Sequence, residues 1–297
     1  MNLAILGSGQ WGRSLAMLAA EAGNQPRLGY RGQPPRGFAG SPNLAALCRE
    51  VELVLVAVPL EAVGEVLSQA QPGPHNRVVL ATRGLQPETG LWLTDLVKER
   101  TDCLRVGALA GPAIAAEVSA RRPSALVAAS PYDEVAALTQ KALHSPICRV
   151  YTSSDLIGVE MAGALVRVLS VAVGVAEALQ LGVGVQAVIV TRGLAEGRRL
   201  GRALGADEGT FSGLAGVGEL VAAGKHPEHP GVVIGRRLCG AGGVEEAVVR
   251  EAAALVALAQ RHKVNLPLTE AVGAIAAGRV KPRLAIDMLM RREATSE

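Results

Sequence analysis

Short apolar runs alternate with longer amphipathic stretches through the first half of the chain. These runs predict strands at residues 3–6, 27–30, 53–58, 77–82, 105–109 and 125–129, and the stretch 11–22 has the spacing of a helix. The run at 53–58 reads Leu-Val-Leu-Val-Ala-Val, and its lack of polar alternation is typical of a strand covered on both faces. The pattern therefore predicts an α/β fold in which residues 1–152 form a doubly wound parallel sheet of the Rossmann type.

The pattern changes after residue 152. The stretches 158–179, 186–203, 245–262 and 268–277 have helical spacing, and the first is apolar on nearly every face. No further strand pattern follows, and the Pro- and Gly-rich stretch 32–43 is interpreted as a loop within the first half. Residues 153–297 are therefore expected to form an all-α second domain.

A glycine-rich turn directly follows the first predicted strand. Residues 7–12 read Gly-Ser-Gly-Gln-Trp-Gly and fit the pattern G-x-G-x-x-G between a strand and a helix. In that context Gly7 permits a tight turn, Gly9 lets the backbone approach a pyrophosphate, and Gly12 lets the helix pack against the strand. The turn therefore predicts a dinucleotide site at the N-terminus of the first helix.

The end of the second predicted strand bears on the choice of cofactor. An acidic residue at this place binds the ribose 2′-hydroxyl of NAD. No acid occurs between Glu21 and Glu50, and Tyr30-Arg31 stands at the strand end instead. Because a guanidinium can pair with a 2′-phosphate, the sequence favours NADP and leaves NAD open.

Composition and charge exclude several other classes of protein. The formal net charge is +3, and the basic residues are scattered rather than gathered in a block, which argues against a nucleic-acid partner. The four cysteines are far apart and lack metal-ligand spacing, so we expect reduced thiols and no metal site. There is no signal-peptide pattern, and no uncharged run reaches the ~18 residues of a membrane span, so a cytoplasmic protein is expected.

Six further segments resemble one known family, in order along the chain. They read Ala-Thr-Arg-Gly-Leu at 81–85, Leu-Ala-Gly-Pro-Ala-Ile-Ala-Ala-Glu at 109–117, Ile-Gly-Val-Glu-Met-Ala-Gly-Ala-Leu at 157–165, Thr-Arg-Gly-Leu-Ala-Glu at 191–196, Thr-Phe-Ser-Gly-Leu-Ala-Gly at 210–216 and Leu-Met-Arg-Arg-Glu at 289–293. Together they resemble the bacterial NAD(P)-dependent glycerol-3-phosphate dehydrogenases. The resemblance extends from residue 1 to about residue 293.

The resemblance implies an activity and a set of site residues. The family reduces dihydroxyacetone phosphate to sn-glycerol 3-phosphate with NADH or NADPH, a step that supplies glycerophospholipid synthesis. By resemblance, the residues expected at the cofactor are Gly7, Gly9, Gln10, Trp11, Gly12, Arg31, Arg83, Ala115, Val244 and Glu246. The residues expected at the substrate are Arg83, Gly111, Ala113, Arg167 and Glu219, and His229 lies on the loop that should face it.

The chain departs from the family where the family carries out its chemistry. The family pattern G-A-L-K-N-V, whose lysine is the general acid–base group, becomes Gly-Ala-Leu-Val166-Arg167-Val in this chain. The aspartate of G-L-G-D-L is Glu219, and the arginine and asparagine that hold the substrate phosphate are Pro230 and Gly231. Since a general acid typically contributes ~10²–10⁴-fold to rate, the catalytic residues of this chain stay unassigned.

Two functional hypotheses follow. In the first, the chain is an active dehydrogenase on the family's substrate or on another small anionic molecule, with Arg83 and Arg167 as candidate anion ligands and His229 as a candidate acid. In the second, it is a nucleotide-binding homologue without catalysis. Apolar helices in the second half also make a homodimer a possible assembly.

Overall fold

The computed structural model describes residues 1–86, 89–240 and 243–291. One eight-stranded sheet has the spatial order β3-β2-β1-β4-β5-β6-β7-β8. The strands are β1 Asn2–Leu6, β2 Gln25–Gly29, β3 Gly40–Ser41, β4 Leu53–Val56, β5 Arg77–Leu80, β6 Val106–Ala110, β7 Ser124–Ala129 and β8 Cys148–Ser153.

Helices cover both faces of the sheet and form the rest of the described chain after it. Those of the first half are α1 Gln10–Glu21, α2 Leu44–Arg49, α3 Val63–Ala70, α4 Leu93–Arg100, α5 Ala115–Ser119 and α6 Asp133–Leu143, with a 3₁₀ turn at Leu60–Ala62. Those of the second half are α7 Leu156–Ala178, α8 Gly182–Leu204, α9 Glu208–Ser212, α10 Glu219–Lys225, α11 Pro230–Gly240, α12 Glu246–Arg261, α13 Pro267–Ala276 and α14 Pro282–Met290, with a π-helical turn at Leu214–Gly218.

The strand order reverses at β1. The chain moves outward from β1 to β2 and β3 on one side, then crosses to β4 and continues to β8 on the other. In a doubly wound sheet the crevice at the carboxyl ends of the strands beside such a reversal is the usual ligand site. The predicted Rossmann-type fold with a helical second half is therefore confirmed.

One pair of strands differs from the predicted parallel arrangement. β6 and β7 are antiparallel, whereas the other pairs in the sheet are parallel. After β6 the chain stays at the carboxyl edge through the short helix α5, so β7 starts from that edge and runs back. The two-residue β3, the final strand β8 and the helices α9, α10, α11 and α14 were not predicted, because their apolar patterns are short.

The apolar core is divided by the sheet. Leu3 and Ile5 of β1 point to the face covered by α1 and α6, whereas Ala4 and Leu6 point to the opposite face. The core on this opposite face continues without a break into the second half through α7. α7 is long and apolar enough to cross a membrane, but 89% of its most apolar window is buried in the protein, as in the core helix of a globular domain.

Candidate active site

The glycine turn after β1 is shaped by close backbone contacts. Gly7 has φ +121°, and a Cβ there would lie far inside van der Waals distance of the Ala57 carbonyl oxygen. A Cβ on Gly12 would collide in the same way with the Gly7 carbonyl oxygen. Around Gly9, in contrast, no atom lies within 4 Å of a Cβ position. The turn is therefore packed on the protein side and open on the side where a ligand would approach.

The N-terminus of α1 has free donors at this opening. Gly9 is the N-cap residue, and no side chain caps the helix. The first N–H groups of an uncapped helix attract anions, because they lack partners and lie at the positive end of the helix dipole. Gln10 and Trp11 form the first turn of this helix, so all five residues predicted for the phosphate cradle lie together.

Trp11 links the glycine turn to the next part of the crevice. Its indole Nε1 donates a hydrogen bond of 3.1 Å to the carbonyl oxygen of Ala81, just beyond β5. The neighbouring Thr82 hydroxyl donates to the carbonyl of Val58, beyond β4, at 2.6 Å. These contacts tie the carboxyl ends of β1, β4 and β5 together, and Arg83 follows Thr82 in the same loop.

Arg83 and Glu219 form a buried ion pair across the two halves of the protein. Glu219, at the start of α10, is 4% exposed and pairs with the Arg83 guanidinium, while its second oxygen accepts the Gly111 N–H at 3.0 Å. The aliphatic part of Arg83 runs over Gly163 of α7, where a Cβ would lie 3.2 Å from Arg83 Cγ. Burial raises the pKa of Glu219, while Arg83 and the Gly111 N–H act in the opposite direction.

The residues at the family's lysine and asparagine positions make no acid–base pair. Val166 is 1% exposed and belongs to the apolar core. The guanidinium of Arg167 holds Glu251 of α12 in a bidentate pair, with Nε 3.0 Å from one carboxylate oxygen and 3.1 Å from the other. Val166 therefore brings no proton to the crevice, and Arg167 brings a cation that is already partly neutralised.

The segment between α10 and α11 brings two imidazoles to the same place. Nδ1 of His226 and Nδ1 of His229 are buried without a hydrogen-bond partner among the described residues. Burial first, and then the charges of Arg83, His226 and Arg167, lower the pKa of His229 to about 4. The ring of His229 is consequently neutral at neutral pH.

The replaced phosphate-clamp positions are packed rather than open. Pro230 starts α11, and a Cβ on Gly231 would collide with the hydroxyl of Ser170 on α7. The same Cβ position lies 3.3 Å from the carbonyl oxygen of Arg167. An asparagine at position 231 is thus incompatible with this crossing of α7 and α11, which explains why the chain holds glycine there.

Two buried carboxylates that the sequence did not single out cap helices in other parts of the chain. Glu160 of α7 accepts the Thr94 N–H at 3.1 Å and the Thr94 hydroxyl at 2.6 Å, at the first turn of α4. Glu196 of α8 accepts N–H groups of Leu268 and Thr269 at the start of α13. Glu160 is 66 residues from Thr94, and Glu196 is 73 residues from Thr269. No local spacing in the sequence could therefore reveal these contacts.

Several predicted site residues lie outside this cluster or at its edge. Arg31 is three-quarters exposed, with its guanidinium 3.8 Å from the carboxylate of Glu65. Ala113 is buried, and Ala115 begins α5, where its carbonyl accepts the Ser14 hydroxyl at 3.0 Å.

Val244 and Glu246 are exposed residues at the start of α12, and no contact within the described residues ties them to the glycine turn. Of the closing motif, residues 292 and 293 lie outside the described residues. Glu251, by contrast, was not predicted, and only the fold reveals it as the partner of Arg167.

Known proteins match the chain over nearly its whole length. The family models described as the N-terminus and the C-terminus of NAD-dependent glycerol-3-phosphate dehydrogenase match residues 33–136 and 155–287. The chain is 36% identical over 308 residues to glycerol-3-phosphate dehydrogenase (NAD(P)+) of Trichormus variabilis, covering 100% of this chain and 98% of the relative. The corresponding enzyme of an Acidovorax species is 35% identical over 330 residues, covering 100% and 99%.

A solved structure shows the same relationship. The crystal structure of glycerol-3-phosphate dehydrogenase from Coxiella burnetii superposes with a TM-score of 0.87 at 29% identity, covering 98% of this chain and 99% of that one.

Proposed function

This chain belongs to the NAD(P)-dependent glycerol-3-phosphate dehydrogenase family, and we propose that it interconverts dihydroxyacetone phosphate and sn-glycerol 3-phosphate. The observation that carries the proposal is the Arg83–Glu219–Gly111 cluster, which joins the nucleotide-type crevice to the helical half. The chain is thus an oxidoreductase of NAD or NADP by family, and the proposal concerns its substrate and the roles of its residues. The product would serve glycerophospholipid synthesis in the cytoplasm.

The residues present fit a dinucleotide. The open side of Gly9 and the uncapped first turn of α1 accommodate a pyrophosphate, and the packed Gly7 and Gly12 keep that turn in place. When bound, NAD(P)H supplies the hydride for reduction of the carbonyl carbon. We propose that Gln10, Trp11 and the neighbouring backbone hold the nucleotide.

Arg31 supports the preference for NADP. Its side chain follows β2, is exposed, and forms an ion pair with the carboxylate of Glu65 at 3.8 Å. A 2′-phosphate offers a guanidinium a stronger, bidentate partner than a carboxylate at 3.8 Å. We propose that Arg31 binds this phosphate.

The substrate is proposed to lie between Arg83 and Arg167. Arg83 is oriented by Glu219 and by Gly163, and its charge stabilises negative charge that develops on the carbonyl oxygen during reduction. Arg83 does not transfer a proton at neutral pH, because guanidinium stays protonated. The proton that the carbonyl oxygen gains is therefore proposed to come from His229, the candidate acid. Arg167 supplies the second cation that attracts an anionic substrate. Gly111 and Ala113 would line the same space.

The activity is tested by following oxidation of NADPH and of NADH with dihydroxyacetone phosphate. We expect turnover with a preference for NADPH, and Arg31→Ala should remove that preference without abolishing activity. Arg83→Gln should lower kcat/KM by about 10²-fold or more, since an electrostatic contact to the reacting oxygen is worth that much. Glu219→Gln should lower kcat/KM as well, because Glu219 orients the Arg83 guanidinium. Lys98→Gln, on the exposed side of α4, is the matched control and should behave as the wild type.

The opposite result has a defined meaning. NADPH binding without turnover would contradict the proposal and favour a nucleotide-binding homologue without catalysis.

We further propose a homodimer, because Val183 and Val188 leave apolar surface exposed on α8.

A further inference from the structure

Four buried polar atoms remain without a hydrogen-bond partner within the described part of the crevice. They are Nε of Arg83, Nδ1 of His226, Nδ1 of His229 and Oε1 of Glu219, and of these the Glu219 oxygen has an ion-pair contact with Arg83. A buried polar group left unpaired costs about 1–3 kcal/mol, so native proteins rarely tolerate several in one place. Where they occur together, a ligand that pairs with them is a direct explanation.

The charges around these atoms specify the kind of ligand. Three groups raise the positive potential at His229. They are Arg83 in the loop after β5, Arg167 on α7, and His226 in the same segment as His229. The facing carboxylates, Glu219 and Glu251, are each engaged by one arginine. Nε of Arg83 is a donor, and both ring nitrogens of a histidine become donors when it is protonated, so this positive field suits an anion.

The segment of His229 leads directly into a contact with the helix turn next to Val166, the position of the family's lysine. Two residues after His229, Gly231 packs on the turn of α7 that carries Arg167 and Ser170. That turn begins next to Val166. His229 is thus a titratable group in the segment next to this turn, and it can gain a proton if a bound anion raises its pKa, whereas arginine cannot lose one.

We propose that His229 takes up a proton when an anion binds beside Arg83 and Arg167, so that anion recognition and protonation occur together. The ligand class is a dianion of the phosphate-monoester type. The inference deepens the proposed function, because it rests on this crevice being the substrate site. It replaces the lost arginine–asparagine clamp with an imidazolium that exists only when the anion is present.

The physical reason is linkage between charge and protonation. Without an anion, burial first and then the neighbouring cations lower the pKa of His229 to about 4. A bound dianion reverses the sign of the local field and raises that pKa, since an opposite charge favours the charged form. Between the two pKa values, binding takes up a proton, so the affinity falls up to about tenfold for each unit of rising pH.

Inorganic sulfate is the probe, because it remains a dianion between about pH 5 and about pH 8 and releases no proton of its own. Calorimetric titrations at constant ionic strength, in two buffers of different ionisation enthalpy, measure the protons taken up per sulfate bound. For the wild type we expect each bound sulfate to be accompanied by the uptake of a measurable fraction of one proton. The dissociation constant for sulfate should rise with pH. NMR of histidine-labelled protein should show the His229 pKa rising on addition of sulfate.

His229→Gln should bind sulfate without proton uptake and with a dissociation constant independent of pH. His262→Gln, an exposed histidine at the end of α12, is the matched control and should keep the wild-type uptake. Absence of sulfate binding by the wild type, binding without proton uptake, or unchanged uptake in His229→Gln would each overturn the inference. Since sulfate binding is measured without turnover, a failure here is distinguishable from a failure of the proposed reaction.

Discussion

At the scale of single residues, the three glycines of the turn after β1 are not equivalent. Gly7 and Gly12 are required by backbone atoms of the protein itself, whereas the space at Gly9 is empty of protein atoms. The same motif therefore contains two positions that the fold requires and one whose surrounding space the protein leaves open.

This difference predicts opposite outcomes for two matched substitutions. Gly12→Ala should lower the free energy of unfolding by about 1–3 kcal/mol, because its methyl group has no room against the Gly7 carbonyl. Gly9 has a φ of −67°, which alanine adopts readily. Gly9→Ala should therefore retain the stability of the wild type. It should nevertheless weaken NADPH binding at least tenfold. Denaturant unfolding and fluorescence titration measure the two effects, and wild-type NADPH affinity in Gly9→Ala would contradict this assignment.

The residue scale also shows the limits of reading a motif. The glycine turn was predicted from local sequence, and Trp11 and Arg83 were assigned to the site from the family resemblance; their roles toward a ligand stay predictions. Glu251 and Glu160 could not, because each acts on a residue more than sixty positions away. Arg167 was recognised as a cation, but its partner was not.

At the scale of elements, buried carboxylates tie helices of the second half to one another and to the sheet. Glu160 on α7 caps α4, and Glu196 on α8 caps α13. Burial raises the pKa of both carboxyls to about 7, against the hydrogen bonds that they accept. In the folded protein these groups therefore hold protons that they would lose in the unfolded chain.

The sign of this effect predicts a pH dependence. Since Glu160 has a pKa of about 7 when folded and an ordinary value of 4.5 when unfolded, its neutral form stabilises the fold below about pH 4.5 and this contribution is lost as the pH rises to about 7. At about 1.4 kcal/mol per pKa unit, the loss is on the order of 3 kcal/mol. Glu160→Gln keeps a neutral cap and should lack this loss.

Urea unfolding from about pH 4.5 to about pH 8 checks the difference between wild type and Glu160→Gln. Glu99→Gln, an exposed position on α4, is the control and should follow the wild type. Parallel curves for wild type and Glu160→Gln would show that Glu160 does not titrate with folding.

At the scale of the whole molecule, the two halves share one apolar core. The core on the α7 side of the sheet includes Val54 and Val78 of the sheet together with Leu165 and Leu169 of α7. The Arg83–Glu219 pair and the Glu160 cap join the same halves by polar contacts. Neither half can separate without exposing apolar surface.

We therefore expect calorimetry to show one cooperative unfolding transition for the intact chain. If the protein forms the proposed homodimer, the midpoint temperature should also rise with protein concentration, because association stabilises only the folded state. Two separate transitions would contradict a shared core, and a midpoint independent of concentration would contradict the dimer.

The sequence by itself determined the Rossmann-type first half, the helical second half, the glycine turn and the loss of the family's lysine at Val166. The first three follow from apolar periodicity and from residues adjacent in the chain, which local geometry relates directly, and the last follows from the family resemblance. Only the tertiary structure decided that β6 and β7 are antiparallel, that Arg167 is held by Glu251, and that His229 lies in the field of two arginines. Those features depend on how distant segments pack together, and neither spacing nor composition records such contacts.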